Sequence, residues 1–356
     1  MRKISLFITA TFLIFLLFSC KKSNLWYKNY DYTTAYFPYQ YPVRTLILGD
    51  YNIADNTNDN NLKFLITARI GGLLNNNSDW NIGYVVDNSL ANNLMTDPNS
   101  WDGKTVSSAD TLEALPSRYY TLGSGGSDKN TITVSKGGFT GSVEVQLTQD
   151  FLDDTMAWRT HYVIPLKITT TTADSILSGR ANGPNADSRV KGDWAIQPMN
   201  FTVFGIKFIN AYHGNFLHRG RSVIKDENGN ITQTITYNKP HIEDNEIWHL
   251  QTTGRNRDRV TGTLRSEPTS PGNFTMDLTF STNGDCVIST SKGSKFPVTG
   301  SGKFIQKGDV WGGEQRNTIY LNYQVNEGTN IHSITDTLVF RDKGVAFQEY
   351  SPTLIP

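Results

Sequence analysis

Residues 274–280 read Phe-Thr-Met-Asp-Leu-Thr-Phe, in which large apolar and polar side chains alternate strictly. Successive side chains of a β-strand point to opposite faces, so this stretch predicts a strand with one apolar and one polar face. Two hairpin signals, Asn228-Gly229-Asn230 and Asn283-Gly284-Asp285, separate similar runs, because Gly and Asn tolerate the positive φ of a tight turn. This part of the chain is therefore predicted to be antiparallel β-structure.

The composition is typical of an all-β exported protein. Aromatic residues make up 12% of the 356 residues and charged residues only 19%, and aromatic side chains suit a pleated, half-buried surface. Lys plus Arg and Asp plus Glu each number 33. The resulting formal net charge of zero argues against a nucleic-acid binder, which normally carries a basic field.

The order of strand-like runs and turn signals predicts two domains. Residues 34–172 contain short runs that favour an antiparallel sandwich. Residues 173–196 are rich in Gly, Pro, Asn and Ser, and we interpret them as a linker. Residues 197–356 contain further antiparallel runs that would close into an up-and-down barrel. A second sandwich fits the same alternation nearly as well.

The first 20 residues indicate export and lipidation. Met1-Arg2-Lys3 is basic, residues 4–18 are mostly apolar, and Leu17-Phe18-Ser19-Cys20 has the pattern of a lipobox. The apolar run is shorter than the about 20 residues of a membrane-spanning helix and fits a signal peptide. We expect residues 1–19 to be removed, Cys20 to carry lipid, and residues 20–33 to tether the protein to an envelope membrane.

No sequence motif points to catalysis, a metal or a cofactor. There is no G-x-S-x-G, H-E-x-x-H or C-x-x-C pattern. The Asn-rich segment 55–61 lacks the Gly and Glu of a calcium loop and is predicted to be a solvated loop. His213 and His218 are five residues apart, which places them on opposite faces of one strand, and we expect His213 to bond to backbone in a turn. We therefore predict a protein that is not an enzyme and binds no metal, cofactor or nucleic acid.

Tryptophans beside polar residues are the candidate ligand contacts. Trp101 lies between Ser100 and Asp102, and Trp311 lies in the segment 308–314 (GDVWGGE). Such a ring can stack on a sugar while its polar neighbours bind hydroxyl groups. Trp101, Trp311 and Trp248 are the candidate ligand-binding residues, although any one of them could simply plug the end of a sandwich or the mouth of a barrel.

Short motifs in both halves resemble known families. The N-terminal motifs are residues 85–90 (VVDNSL), 115–120 (LPSRYY), 132–137 (ITVSKG) and 162–166 (YVIPL). The C-terminal motifs are residues 208–220 (FINAYHGNFLHRG), 298–304 (VTGSGKF) and 336–342 (DTLVFRD). The first set resembles domain of unknown function 1735 and the second resembles domain of unknown function 5627, as combined in lipoproteins of Bacteroidetes.

The resemblance implies an immunoglobulin-like N-terminal sandwich, a calycin-like (lipocalin-like) C-terminal barrel and a setting among polysaccharide-utilisation systems. We therefore expect a non-catalytic outer-membrane lipoprotein, at the cell surface or the periplasmic face, with a glycan ligand and an outer-membrane importer as partners. Two alternatives stay open: a structural or interaction subunit of an envelope assembly, and a barrel that binds an apolar small molecule.

Overall fold

The computed structural model of the protein describes residues 30–51, 53–96, 111–123 and 130–354. Cys20, the predicted leader and Trp101 lie outside these residues. The helices within them are short: α1 (Thr57–Asn60), α2 (Asp150–Asp153) and the 3-10 helices Asn88–Ala91, Ser117–Tyr119, Lys191–Asp193 and Ile242–Asp244. None of these described helices has the length and apolar character needed to span a membrane.

The regular structure is almost entirely β. The strands of the first part of the chain are β1 (Thr34–Tyr36), β2 (Pro42–Ile47), β3 (Lys63–Gly71), β4 (Trp80–Val86), β5 (Leu94–Thr96), β6 (Glu113–Ala114), β7 (Tyr120–Leu122), β8 (Thr131–Val134), β9 (Thr140–Leu147), β10 (Tyr162–Thr171), β11 (Ser175–Ile176), β12 (Arg180–Ala181), β13 (Trp194–Ile196) and β14 (Phe201–Ile209). Those of the second part are β15 (Gly214–Lys225), β16 (Ile231–Tyr237), β17 (Glu246–Gly254), β18 (Arg257–Thr263), β19 (Asn273–Phe280), β20 (Asp285–Thr290), β21 (Val298–Trp311), β22 (Glu314–Asn326), β23 (Ile331–Asp342), β24 (Gln348–Glu349) and β25 (Pro352–Leu354).

Two sheets form the N-terminal sandwich. One sheet has the order β11-β1-β3-β9-β7, and the other has the order β24-β2-β14-β10-β4-β8, with β6 paired to β10. The alternation in β3 turns Phe64, Ile66 and Ala68 inward, where they join Ile82 and Tyr84 of β4 in one buried cluster. Burial of these apolar side chains holds the two sheets together.

The sandwich extends further along the chain than the sequence analysis predicted. β14 was assigned to the barrel, but it pairs antiparallel with β10 and parallel with β2. The predicted linker, residues 173–196, also contributes structure: β11 pairs with β1, and β12 pairs with β13. Period-2 alternation shows that a segment is a strand, but it does not show which of two sheets the strand joins.

β15 and β17 to β23 form a closed antiparallel barrel in which the strand order follows the chain. On one side β15 pairs with β17 through its first half and with β16 through its second half. On the other side it pairs with β23, from Asn215 opposite Asp342 to Lys225 opposite Ile331. This last pairing closes the barrel and distinguishes it from a second sandwich. The predicted all-β fold, a sandwich followed by a lipocalin-like barrel, is confirmed.

Side chains fill the barrel interior. Phe274, Met276, Leu278 and Phe280, the apolar face of the stretch 274–280, are each at most 3% exposed. They lie in one cluster with residues from other strands of the barrel, including Leu321 of β22. The interior of the barrel is therefore a packed core.

The chain returns to the sandwich after the barrel. β24 pairs with Pro42 and Val43 of β2, and β25 pairs with β5. Between them, the buried Tyr350 donates its hydroxyl hydrogen to the carbonyl oxygen of Val203 at 2.6 Å. These contacts hold the segment 345–347 next to β2.

Candidate ligand-binding site

A groove of about 570 Å³ lies along one edge of the sandwich, and we call it the sandwich groove. Its walls are formed by β2 and β3, which belong to different sheets, and by the returning segment 345–347. β1 pairs with residues 69–71 at the end of β3, and β24 pairs with the first two residues of β2. The groove runs along the parts of β2 and β3 that lie beyond these pairings, including residues 44–47 of β2 and 65–67 of β3.

Exposed aromatic and aliphatic side chains gather in the sandwich groove. Tyr39 is 50% exposed and Phe347 is 68% exposed. Their ring centroids are 5.4 Å apart and the rings are tilted by 54°. Leu65, which is 54% exposed, and Tyr51 also line the groove. A concave surface with several exposed apolar side chains indicates a contact surface for a ligand or a partner.

Side chains with hydrogen-bond donors line the same groove. The side chain of Arg44 is 40% exposed and forms an ion pair with Asp59. The buried Asp59 carboxylate also accepts the backbone N–H of Ile47 at 3.0 Å, so it fixes Arg44 on β2. Thr45, Thr67, Thr202 and Arg69 line the same groove. The groove therefore offers flat apolar faces and hydrogen-bond donors side by side.

The anchor of Arg44 differs from the sequence-based interpretation. The segment 55–61 was predicted to be a solvated loop, but residues 57–60 form α1 and Asp59 is 2% exposed. A carboxylate can be buried this way because it is paired with a cation and hydrogen-bonded by the backbone. The sequence signal, an Asp within a run of polar residues, does not differ from that of a surface loop.

Neither Trp248 nor Trp311, the two predicted tryptophans among the described residues, lines the sandwich groove. Trp248 lies in the barrel core with 6% exposure, and this burial does not fit its predicted role as an exposed ligand contact. Trp311 is partly exposed at the end of β21, where the guanidinium of Arg316 lies 5.0 Å from its ring centroid. Trp101 lies outside the described residues. Tyr39 and Phe347, which the sequence analysis did not select, occupy the groove instead.

A second group of chemically active side chains, the barrel ion cluster, lies inside the barrel. It consists of His218, Glu246, Asp336, Tyr237 and Tyr323. His218 Nδ1 lies 2.6 Å from Glu246 Oε1, and its Nε2 lies 3.0 Å from Asp336 Oδ2. Both tyrosine hydroxyls donate to Asp336, that of Tyr323 at 2.7 Å. The indole of Trp248 stacks on the imidazole and donates to Glu246.

In the barrel ion cluster the His218 imidazole lies between two carboxylates. Burial alone would lower the pKa of His218, but hydrogen bonds to Asp336 and Glu246 raise it above its usual value. The hydrogen bond with His218, opposed by burial and reinforced by Arg265, lowers the pKa of Glu246 to about 2. The side chains of His218 and Asp336 are 1% and 0% exposed. These two buried groups and the partly exposed Glu246 form a network that links β15, β17 and β23.

The barrel ion cluster joins two of the motifs that carried the family resemblance. His218 and Gly220 come from segment 208–220, and Asp336 begins segment 336–342. Gly220 is paired with Asp336 across the strands, and a Cβ on it would lie 2.0 Å from Asp336 Oδ1. In the same segment, His213 Nδ1 accepts the backbone N–H of Thr252 at 3.1 Å, which confirms the predicted turn. Two of the three C-terminal motifs therefore meet on β15 and β23, the strands whose pairing closes the barrel.

Metal binding has no support in the described ranges. Within residues 30–51, 53–96, 111–123 and 130–354, no three His, Cys, Asp or Glu side chains are grouped as metal ligands. Cys286 is buried in the barrel, and burial, with a smaller effect of Asp258, raises the pKa of its thiol to about 12. This thiol is therefore not activated as a nucleophile.

Family models match both parts of the chain. The model of domain of unknown function 5627 matches residues 211–344, which is the barrel. A second model, described as an N-terminal domain, matches residues 27–175. No curated protein is significantly similar to the chain. The predicted resemblance of the C-terminal half is thus confirmed, while the assignment of the N-terminal half to domain of unknown function 1735 stays a prediction.

Solved structures give the family of the whole chain. A protein of unknown function from Bacteroides ovatus, solved at 2.40 Å, is similar with a TM-score of 0.80 and 34% sequence identity, over 92% of this chain and 100% of that chain. A multidomain protein from the same organism that includes domain 1735 matches at 12% identity over 86% of this chain and 94% of that chain, with a TM-score of 0.41, too low for any inference. The barrel of this chain matches domain of unknown function 5627. The chain belongs to the same family as the first of these Bacteroides ovatus proteins.

Proposed function

We propose that this chain is a non-catalytic outer-membrane lipoprotein that binds a glycan in the sandwich groove. The observation that carries the proposal is the exposed pair of Tyr39 and Phe347 in a recess of about 570 Å³, beside the anchored Arg44. Ligand pockets usually enclose about 300–1,000 Å³, so this volume is suitable for a small ligand or a fragment of a polymer.

The chemistry of the groove fits the two-sided character of a sugar ring. A pyranose presents apolar C–H faces and a rim of hydroxyl groups. The rings of Tyr39 and Phe347 can pack against the C–H faces. Arg44 and Arg69 are cationic donors, and Thr45 and Thr67 both donate and accept, so they suit the hydroxyl rim.

Two observations favour this site over the alternatives. The barrel interior is packed with side chains such as Phe216, Met276 and Leu321, each at most 1% exposed, which supports the groove over an apolar ligand inside the barrel. The groove is a concave recess of about 570 Å³, which is the shape of a small-ligand site and supports a ligand over a broad protein interface.

Glycan binding is tested by affinity electrophoresis of the protein in gels that each contain one polysaccharide. The protein used begins at residue 21 and so includes every described residue. We expect at least one polysaccharide to retard it, and Tyr39→Ala or Phe347→Ala to weaken binding by about tenfold, as loss of an aromatic contact of 1–1.5 kcal/mol predicts. Trp311→Ala is the matched control and should bind normally. Retention by no polysaccharide, or loss of binding in Trp311→Ala alone, would rule out the groove as the glycan site.

The lipid anchor needs its own test because Cys20 lies outside the described residues. We expect cells that express the full chain to incorporate labelled palmitate into the protein and to keep it in the membrane fraction. Cys20→Ala should abolish the label, while Cys286→Ala, which changes the buried barrel thiol, should not. Equal labelling of wild type and Cys20→Ala would contradict the lipoprotein assignment.

A further inference from the structure

A second recess, of about 500 Å³, lies on the sandwich, and we call it the tyrosine recess. It is lined by residues of the segment 30–36, which ends with β1, and by Gly71 and Gly72 at the end of β3. Tyr30 and Tyr32 line it and are 82% and 70% exposed. Like the sandwich groove, the tyrosine recess therefore presents aromatic rings to solvent.

The backbone that carries Tyr32 is fixed to the sandwich. The backbone N–H and the hydroxyl of Thr33 both donate to Asp174 Oδ2, at 2.8 and 2.7 Å. A Cβ on Gly72, whose φ is +88°, would lie 2.1 Å from the carbonyl oxygen of Tyr32, so only glycine permits this close approach. The backbone of the tyrosine recess is therefore preorganised, which reduces the entropy that a ligand loses by ordering it.

The tyrosine recess and the sandwich groove follow one another along β3. Leu65, Thr67 and Arg69 line the groove. Gly71 lines the tyrosine recess. These four residues alternate with buried ones, so they lie on the outer face of the strand. From Leu65 to Gly71 the strand spans roughly 20 Å, at about 3.3 Å per residue.

Tyr36 connects the two recesses. It lines the tyrosine recess, and it is paired directly with Arg69, which lines the groove. Directly opposite residues of antiparallel strands have Cβ atoms about 5 Å apart, so Tyr36 and Arg69 are neighbours on one face of the sheet. The next residue, Phe37, already lines the groove. A single elongated ligand would therefore meet aromatic and donor side chains in both recesses.

We infer that the sandwich groove and the tyrosine recess together bind one extended polysaccharide chain. This inference rests on the proposed function. Tyr30 and Tyr32 would pack against further sugar rings of a chain that begins on Tyr39 and Phe347. Thr34, which also lines the tyrosine recess, can donate and accept hydrogen bonds at the hydroxyl rim. Because the two recesses span more than the length of a disaccharide, affinity should rise with the length of the glycan.

Isothermal titration calorimetry of the protein from residue 21 tests the inference. The probes are the disaccharides and hexasaccharides of xylan, mannan, galactan and laminarin. In at least one series the hexasaccharide should bind about tenfold tighter than the disaccharide, as an additional aromatic contact predicts. Equal affinity for the two lengths would overturn the inference and leave the glycan groove standing. If neither length binds in any series and no polysaccharide gel retards the protein, the proposed function fails together with the inference.

Substitutions then locate the additional contact. Tyr32→Ala should weaken binding of the hexasaccharide to about the level of the disaccharide and leave the affinity for the disaccharide unchanged. Tyr32→Phe keeps the ring and should keep the preference for the longer probe. Tyr39→Ala should weaken binding of both lengths, and Trp311→Ala, the control on the barrel, should weaken neither. A preference for the hexasaccharide that survives Tyr30→Ala combined with Tyr32→Ala would overturn the inference.

Two further measurements show what occupies the tyrosine recess. The hexasaccharide should slow backbone hydrogen exchange in residues 30–36 and 345–347, and the disaccharide only in residues 345–347. Because exposed tyrosines can also contact a membrane surface, the same variants are sedimented with vesicles of phosphatidylethanolamine and phosphatidylglycerol. If Tyr32→Ala abolishes vesicle binding and leaves the affinity for the hexasaccharide unchanged, the tyrosine recess is a membrane contact and the inference is wrong.

Discussion

The sandwich and the barrel place their polar and aromatic groups in opposite ways. The sandwich leaves Tyr39 and Phe347 exposed in an open groove, and its Arg44 reaches solvent from a buried anchor. The barrel turns Trp248 inward and encloses an ion cluster around His218 and Asp336. His218 and Asp336, at the centre of the ion cluster, are therefore buried, whereas the rings of the sandwich groove are exposed.

The difference shows that ionisable residues close together do not by themselves indicate a functional site. An ion pair in a low-dielectric interior loses its hydration, so it persists only where every charge has partners, as in the barrel ion cluster. An exposed aromatic side chain contributes little to the free energy of folding. A group of such side chains in a groove therefore indicates a binding site. Stability measurements should be sensitive to the barrel, and binding measurements to the sandwich.

The largest expected effect is that of Asp336→Asn. The substitution keeps the shape of the side chain but leaves the buried His218 with one carboxylate and removes the charge that both tyrosine hydroxyls contact. We expect the free energy of unfolding, measured by urea titration, to fall by about 3 kcal/mol, as for other broken buried pairs.

Two controls complete that measurement. Asp285→Asn removes a carboxylate that is 61% exposed, and Tyr39→Ala removes a ring from the sandwich groove. Each should change the free energy of unfolding by less than about 0.5 kcal/mol. If Asp336→Asn is as mild as these controls, the barrel ion cluster does not stabilise the fold and its role must be sought elsewhere.

A smaller effect is expected from Gly220→Ala. The added Cβ would lie 2.0 Å from Asp336 Oδ1 and 2.5 Å from the carbonyl oxygen of Thr335, so the cluster or the strand must shift. Overpacking of this kind costs about 1–3 kcal/mol, measurable as a lower urea midpoint. Gly192→Ala has no atom within 4 Å of its Cβ and should leave the midpoint unchanged. Equal midpoints for the two variants would contradict the close packing around Gly220.

The smallest expected effect is on the pH dependence of stability. The folded-state pKa of His218 is raised, so its contribution is complete below about pH 6.5, its unfolded value, and is lost as the pH rises through the folded value. Glu246→Gln removes one of the two carboxylates that raise this pKa. The decline of stability above pH 6.5 should therefore become smaller in Glu246→Gln than in the wild type.

The contribution of Glu246 to stability changes with pH in the opposite direction, because it is lost as the pH falls. The folded pKa of Glu246 is lowered to about 2, so its contribution is present above about pH 4.5 and is lost as the pH falls toward 2. Asp258, whose pKa burial raises to about 7, also lowers stability as the pH rises, so the comparison of wild type with Glu246→Gln isolates the cluster. Glu314→Gln, at an exposed carboxylate, is the control. Urea midpoints between pH 3 and 8 that coincide for wild type and Glu246→Gln would refute the coupling.

The fold was largely predictable because its signal is local. The alternation of Phe274, Met276, Leu278 and Phe280 gives each side chain its face without reference to any other segment. The hairpin signal at Gly284 likewise depends on a backbone angle, and its φ is +86°. Strands, turns and the predominance of β-structure follow from such local preferences.

The candidate site was not predictable in the same way. The aromatic surplus pointed to sugar contacts, but the sequence analysis chose tryptophans by their neighbours, and burial removed Trp248 from the surface. Tyr39 and Phe347 are more than 300 positions apart in the chain and meet because β24 pairs with β2. No pattern around either residue reports this pairing.

The sequence by itself determined that this protein is all-β, that it has two bodies and which side chains of each strand face inward, since these properties arise within a few consecutive residues. Only the tertiary structure decided that β15 meets β23 to close a barrel, that β14 belongs to the sandwich, and that the returning tail completes a groove. Strand edges offer the same N–H and C=O groups to any partner, so the choice between partners is made by the packing of the whole molecule.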